Sequence, residues 1–403
     1  MDETTVAVKE MYEKYPYPSG VPTIRCGVDV NLLLSYVHLA RKNKGTLNVL
    51  DAGCGRGLGL ISAAMLQPNI NFIGVDINTT ALKDARESAK SRGLTNITFV
   101  VADLMTLEGL AVPKGGFDVI YSSGVLHHLS KPLIGLQNLN NVLAPHGVIS
   151  FMVYGRYGRQ ALYRLIESID LLHPEEKKIE DKLPLARLMS QVATKGIFKG
   201  NYWDKTADTD DVEFVDRCLN VNEVSYDIDE LWELFEQADM KFIRWDDPEE
   251  WSILNLFDNE ALIQQLKKQT PKDQFKIIER MFERPKLSLI LSKNTNAPRL
   301  PIPIELTPKL HFSVNPEVSF AVEKRNLDGF QRIETLSFTY KDKAAQTISH
   351  GLLGQAALML VDQNSLFLGD EMIKLLINKG GTKLEASTVI MQLLALNIIY
   401  CPQ

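Results

Sequence analysis

Between Leu47 and Tyr154 the chain alternates apolar, strand-like runs with helix-like runs at short intervals, and this rhythm constrains the fold more than any other feature. "LNVLDAG" reads as a buried strand, "GLISAAML" as a helix, "INFIGVDI" as a strand and "NTTALKDARESAKSRG" as a helix with polar caps at both ends. "NITFVVADL" and "GFDVIYSSG" read as strands, and the helical "KPLIGLQNLNNVLAPHG" leads into the apolar "VISFMVYG". Strands apolar on both faces and separated by helices specify a parallel sheet covered on two sides. The expected core is a doubly wound α/β sheet.

The first strand ends in Asp51 and turns through Gly53, Gly55 and Gly57 into a helix, which brings bare backbone and a helix N-terminus up to a ligand. Such a loop suits a dinucleotide, a phosphate or another nucleotide-like cofactor. Its spacing is G-x-G-x-G: the residue three beyond Gly55 is Leu58, and no lysine follows the glycines, so neither common phosphate-binding pattern fits. Asp51 just before the loop would also repel the pyrophosphate of NAD.

With its acid two residues ahead of the first glycine, "VLDAGCGRG" resembles the first motif of class I S-adenosylmethionine-dependent methyltransferases. Further motifs follow in order: Asp76 in "FIGVDIN", Asp103 in "VVADL", then "FDVIYSSGVLHHLSKP" and "NVLAPHGVISFMVY". The likeness is specific over about 47–154, looser over 227–293, and absent elsewhere. It implies a mostly parallel seven-stranded sheet, S-adenosylmethionine as cofactor, and methyl transfer as the activity. It further implies that Asp76, with Ile77, holds the ribose hydroxyls, and that Asp103 takes the adenine amino group with the Leu104 amide beside it. Asp51 would attract the ammonium of the methionine end, Gly53 and Gly55 would let backbone approach, and Ser122 would touch cofactor or cap a turn. The competing reading of these acids is local capping of helices and turns.

Methyl transfer from a sulfonium is an in-line displacement, so alignment and a dry pocket matter more than a dedicated base. His127 and His128, just past the fourth strand, could take a proton from an amine or hydroxyl or could simply line the pocket. Tyr154, ending the fifth strand, could orient the acceptor. Arg156 and Arg159 in "YGRYGR" could bind a carboxylate or phosphate at the cleft mouth, or open a solvated helix. In "MYEKYPYPSGVP", Pro16 and Pro18 keep the chain extended, so Tyr12 and Tyr15 could belong to a lid over the cofactor or to a strap packed on the sheet edge.

Beyond Gly155 the rhythm breaks. The expected organisation is a strap and helix over 1–46, the cofactor-binding core over 47–155, a helical insertion over 156–225, completion of the sheet over 226–294, and a small, mainly helical, winged-helix-like domain over 295–403. Asp208, Asp210 and Asp211 lie close together, but without the glycine and terminal glutamate of a calcium loop they read as a solvated loop, and no metal is expected. A formal net charge of -6 gives no global basic field for nucleic acid. No apolar run reaches the ~18 residues of a membrane span, nor does the N-terminus read as a signal peptide, so a cytoplasmic address without membrane association is expected.

The acceptor is less constrained. An N or O nucleophile fits, and the Asn/Asp-Pro-Pro-Tyr/Phe motif for nucleobase and glutamine amino groups is missing where "SSGV" stands. The insertion and the C-terminal domain suit a protein side chain as acceptor, or a homodimer interface that shapes a small-molecule pocket. The layout is similar to that of some bacterial protein lysine methyltransferases. The competing functions are a small-metabolite methyltransferase and a non-catalytic regulatory protein that binds the adenosyl cofactor.

Overall fold

The computed structural model describes residues 1–20, 30–40, 45–172, 178–293, 304–327, 330–340, 345–348, 351–362 and 366–401. The chain forms two compact units, one of Met1–Val28 and Gly45–Ala297, the other of Asp29–Lys44 and Pro298–Gln403.

The first unit begins with helix α1 (Glu3–Lys14), capped by Asp2. The helix α2 (Val30–Ala40) falls in the second unit, so the 1–46 stretch is divided between the two. The sheet of the first unit contains β1 (Asn48–Ala52), β2 (Asn71–Asp76), β3 (Ile97–Val101), β4 (Phe117–Ser123), β5 (Leu143–Gly155), β6 (Ser225–Tyr226), β7 (Met240–Trp245) and β8 (Lys286–Lys293). Its order is β3-β2-β1-β4-β5-β8-β7, with the two-residue β6 paired to the end of β5. Pairing is parallel from β3 to β5, while β8 runs antiparallel to both β5 and β7. This is the doubly wound, mostly parallel sheet expected from the alternation. Its strand order reverses between β1 and β4, and ligands of such sheets bind beyond the strand ends at that point.

Helices α3 (Leu58–Leu66), α4 (Thr79–Ser91) and α5 (Pro132–Val142) connect the first five strands. Leu50, Val75, Phe117, Ile120, Leu139, Ile149 and Phe151 are fully buried in the core, which is why these strands read as continuous apolar runs. Helices α6 (Arg156–Leu172), α7 (Ile179–Lys195) and α8 (Asp211–Cys218) form the insertion, which closes its own apolar cluster around Leu162, Ile169, Phe198, Trp203 and Phe214. Asp210 caps α8 by accepting from the Glu213 amide, and Asp211 pairs with Arg187 at 2.6 Å, so these acids do structural work. Helix α9 (Ile228–Gln237) opens with a capping box of Asp227 and Glu230, and α10 (Ile253–Leu256), α11 (Glu260–Leu266) and α12 (Pro271–Met281) precede β8.

The second unit contains β9 (His311–Val314), a hairpin of β10 (Val318–Leu327) and β11 (Phe330–Tyr340), and β12 (Gln346–Thr347). Helix α13 (Leu352–Asp362), β13 (Phe367–Leu368), α14 (Gly369–Asn378), α15 (Lys383–Ala395) and β14 (Ile399–Tyr400) follow, with β9 lying between β13 and β14. The Cys401 amide donates to Ser35 Oγ at 3.1 Å, tying α2 to the end of β14. The long hairpin departs from a mainly helical expectation. Leu336, Phe338 and Tyr340 alternate inward at a period of two, but the charges Glu323, Lys324 and Arg325 and a register shift at Glu323/Lys324 mask the pattern in β10. Among the described residues no helix is long and apolar enough to cross a membrane.

Candidate active site

Beyond the ends of β1 and β4 lies a cavity of about 430 Å³. The glycine loop forms its floor. Gly53 and Cys54 donate their amides to the Val75 carbonyl at 2.8 and 2.9 Å, which binds the loop to β2. Gly53 has φ +86°, and a Cβ there would lie 2.4 Å from the Val125 side chain, so only glycine lets the loop pass under that residue.

Asp76 ends β2 with both oxygens engaged. Its Oδ2 accepts from the Gly55 amide at 2.7 Å, and Oδ1 accepts from the Asn78 amide at 2.8 Å. Burial pushes its carboxyl up, and the backbone amides of Asn78, Gly55 and Ile77 oppose the rise. Asp51 is 6 % exposed and is pushed up to about 7 by burial and by the neighbouring Asp76 charge. A buried and a half-buried acid thus share one cavity, and no lysine or arginine among the described residues lines it. A cationic, hydroxyl-bearing ligand would relieve both; a pyrophosphate would add charge of the same sign.

Asp103 and Leu104 line the far end of the cavity, with Ala102 and Ile77 supplying apolar surface. Asp103 Oδ1 accepts from the Met105 amide at 2.8 Å, so it caps its own turn while it faces the cavity. Of the expected cofactor residues, Tyr12, Asp51, Gly53, Gly55, Asp76, Ile77, Asp103 and Leu104 converge on one space, together with His128, while Tyr15 and Ser122 do not.

Helix α1 and the following residues cover this space. Thr5, Val8, Tyr12, Tyr17 and Pro18 line it, whereas Tyr15 does not. The Tyr12 hydroxyl donates to Asp216 Oδ1 at 2.6 Å and accepts from Asn220 Nδ2 at 3.0 Å, and its carbonyl accepts from Asn78 Nδ2 at 2.6 Å. A Cβ on Gly55 would lie 2.5 Å from the Tyr17 carbonyl oxygen, so strap and glycine loop meet backbone to backbone. Burial, with Asp216 and Glu213 nearby, keeps the Tyr17 phenol protonated far above its ordinary range.

Besides Tyr15, five expected site residues lie elsewhere. Ser122 is fully buried and donates to the Ala52 carbonyl at 2.8 Å, because alternation along β4 turns Tyr121 and Ser123 to the cavity and Ser122 away. His127 is fully buried behind the wall, stacked on Tyr154 with ring centroids 3.8 Å apart. Burial, then the neighbouring His128 and Arg159, holds its imidazole well below the usual range, so it stays neutral. Tyr154 is sandwiched between that ring and the Arg159 guanidinium, 3.6 Å above it, with its hydroxyl toward Asp216. Arg159 is 2 % exposed and pairs through two nitrogens with Glu223 at 2.8 and 3.0 Å, which neutralises it inside the wall. Arg156 is spent on Glu230, Asp227 and the Ser225 carbonyl at the start of α9. Neither arginine is offered to a ligand.

The segment 206–224 supplies residues that sequence analysis did not reach: Asp216, Asn220, Asn222 and Glu223. Tyr17 was legible from the tyrosine and proline pattern of the strap, although Tyr15 was the one singled out.

A family model described as a methyltransferase domain matches residues 43–208. That span contains the glycine loop, Asp51, Asp76 and Asp103 in the positions the geometry gives them. Residues 43–208 thus match a methyltransferase domain, in keeping with the resemblance of their motifs to class I S-adenosylmethionine-dependent enzymes. S-adenosylmethionine is the cofactor of that family, and the two acids, the apolar walls and the lack of lysine or arginine among the described lining residues fit it. An uncharacterized protein of Synechococcus is 28 % identical over 267 residues, covering 64 % of this chain and 63 % of its own. A ubiquinone biosynthesis O-methyltransferase of Actinobacillus pleuropneumoniae is 32 % identical over 126 residues, covering 31 % and 53 %. The chain thus spans less than two thirds of the length of these relatives. PKMT2 of Rickettsia typhi, solved in complex with AdoHcy, shares this chain's fold with a TM-score of 0.68 at 15 % identity, covering 96 % of this chain and 77 % of that one.

Proposed function

We propose that the chain is an S-adenosylmethionine-dependent methyltransferase acting on an N or O nucleophile of a protein side chain. The observation that carries this reading is the pairing of buried Asp51 with half-buried Asp76 in a roofed cavity that no lysine or arginine among the described residues lines. When bound, S-adenosylmethionine would supply a sulfonium-borne methyl group for in-line displacement. Asp51 would face the cationic methionine end, and Asp76, already ordered by two amides, would hold the ribose diol. Asp103 would face the adenine, and α1 with the strap would exclude water.

Two features favour a protein acceptor over a small metabolite. An insertion outside the core holds the Tyr12 side chain of the cavity roof through Asp216 and Asn220, and the likeness to PKMT2 runs through the insertion and the second unit. Calorimetric titration with S-adenosylmethionine, S-adenosylhomocysteine and NAD tests the cofactor; binding of NAD alone would refute it. Labelled methyl transfer into protein fractions and into metabolite pools then separates the two acceptor classes, and label confined to metabolites would overturn the protein reading.

A further inference from the structure

Where β4 ends, two adjacent histidines have opposite fates. His128 is 4 % exposed and forms part of the cavity wall, whereas His127 does not reach it. The His128 Nδ1 lies 2.8 Å from the Asn222 carbonyl oxygen. A carbonyl can only accept, so Nδ1 carries the hydrogen. Asn222 grips the same turn a second time: its side-chain amide donates to the His128 and Leu129 carbonyls at 3.0 and 3.1 Å. The ring is wedged between His127, at 4.1 Å between centroids, and the edge of Tyr154, at 5.6 Å and 84°. It cannot turn over without losing these contacts.

The consequence falls on the other nitrogen. Nε2 is buried and has no hydrogen-bond partner among the described residues. His128 lies in the cavity wall and its Nδ1 partner Asn222 does not, which leaves Nε2 on the side of the ring away from Asn222. With Nδ1 protonated, a neutral ring has a bare lone pair at Nε2. The alternatives on the wall are weaker bases by position or chemistry. Asp51 and Asp76 belong to the glycine loop, Asp103 to the far end, and the phenol of Tyr12 is already donating to Asp216.

We propose that His128, through Nε2, is the base that takes the acceptor's proton during methyl transfer; this rests on the methyltransferase reading of the same cavity. The acceptor's N–H or O–H bond breaks toward Nε2, and its electron pair stays with the acceptor. The nucleophile's pair forms the new bond to the methyl carbon, while the C–S pair remains on sulfur as a thioether. The imidazolium then returns the proton to solvent. Asn222 is a positioning residue: it selects the tautomer and fixes the ring.

The test uses the full chain labelled with ¹⁵N-histidine, with the His128 signals assigned by their loss in His128→Asn. An unprotonated Nε2 and a protonated Nδ1 are expected; the opposite tautomer overturns the proposal without touching the cofactor assignment. His128→Asn retains a donor for the Asn222 carbonyl and removes the base. It should bind S-adenosylhomocysteine within about threefold of wild type while kcat for labelled methyl transfer to poly-L-lysine falls ~100-fold or more. Transfer at the wild-type rate, or a loss of S-adenosylhomocysteine affinity, overturns the role. His128→Gln repeats the measurement if the asparagine variant fails to fold. Failure of the wild-type chain itself to bind S-adenosylhomocysteine refutes the methyltransferase reading, a result distinct from either failure of His128.

Discussion

The Tyr12 hydroxyl donates to Asp216 Oδ1 at 2.6 Å across 204 residues of sequence, joining the first helix of the chain to the last helix of the insertion. Asp216 also receives the Tyr154 hydroxyl, at 3.4 Å, so one carboxylate holds the cavity's roof against its fifth strand. Tyr12→Phe removes one donor from a buried acid, a loss worth about 1–3 kcal/mol. S-adenosylhomocysteine affinity is expected to fall about tenfold by calorimetry, whereas Tyr15→Phe, outside the cavity, should leave it unchanged. Equal effects of the two variants would refute the roof assignment.

Asp51 makes stability depend on pH. Its carboxyl ionises near 7 in the folded chain against an ordinary 3.8, so between those values the folded state binds more protons than the unfolded state. Stability conferred by the protonated form is complete below about 4 and is lost as pH rises toward 7. The full shift bounds this loss at ~4 kcal/mol. Asp51→Asn should therefore melt higher than wild type at pH 7.5 and converge with it near pH 4, while losing most of its S-adenosylmethionine affinity. Glu279, also pushed up to about 7 by burial, adds a slope of the same sign, so the measurement is the difference between wild type and variant.

Gly55 and Gly93 separate two costs of a positive φ. Both are left-handed, at φ +51° and +67°, but a Cβ on Gly55 meets the Tyr17 carbonyl at 2.5 Å whereas nothing lies within 4 Å of one on Gly93. Gly93→Ala should cost about 1 kcal/mol in a denaturant melt and leave S-adenosylhomocysteine binding intact. Gly55→Ala should cost more and weaken binding about tenfold or further, by lifting the strap from the loop.

Arg159 and Glu223 form a pair buried inside the wall. Glu223→Leu leaves the guanidinium uncompensated and should destabilise the first unit by about 3–5 kcal/mol. The double variant Arg159→Met with Glu223→Leu should recover much of that loss in the same melt.

The sheet was legible because parallel strands buried on both faces must be apolar throughout, and β1 to β5 and β8 are written that way. Asp51, Asp76 and Asp103 were legible because each lies at or just past the end of one of three neighbouring strands, β1, β2 and β3, in motifs that follow one another along the chain. What escaped was set by register or by distance along the chain. Ser122 and Tyr121 differ by one residue, and only the pleat decides which faces the ligand. Arg159 sits in a stretch that looks solvated until Glu223, 64 residues on, folds against it. Asp216 and Asn222 carry no local motif, because their partners are Tyr12 and His128, brought near only by the fold.

Where these last residues originate has a consequence for how such a protein can change. The groups facing the methyl donor come from the strand ends of the core, but the groups that orient Tyr12 and His128 come from the connection between α7 and β6. Substitutions in that connection therefore act on the cavity indirectly, by moving Tyr12 and His128 rather than the acids at the strand ends.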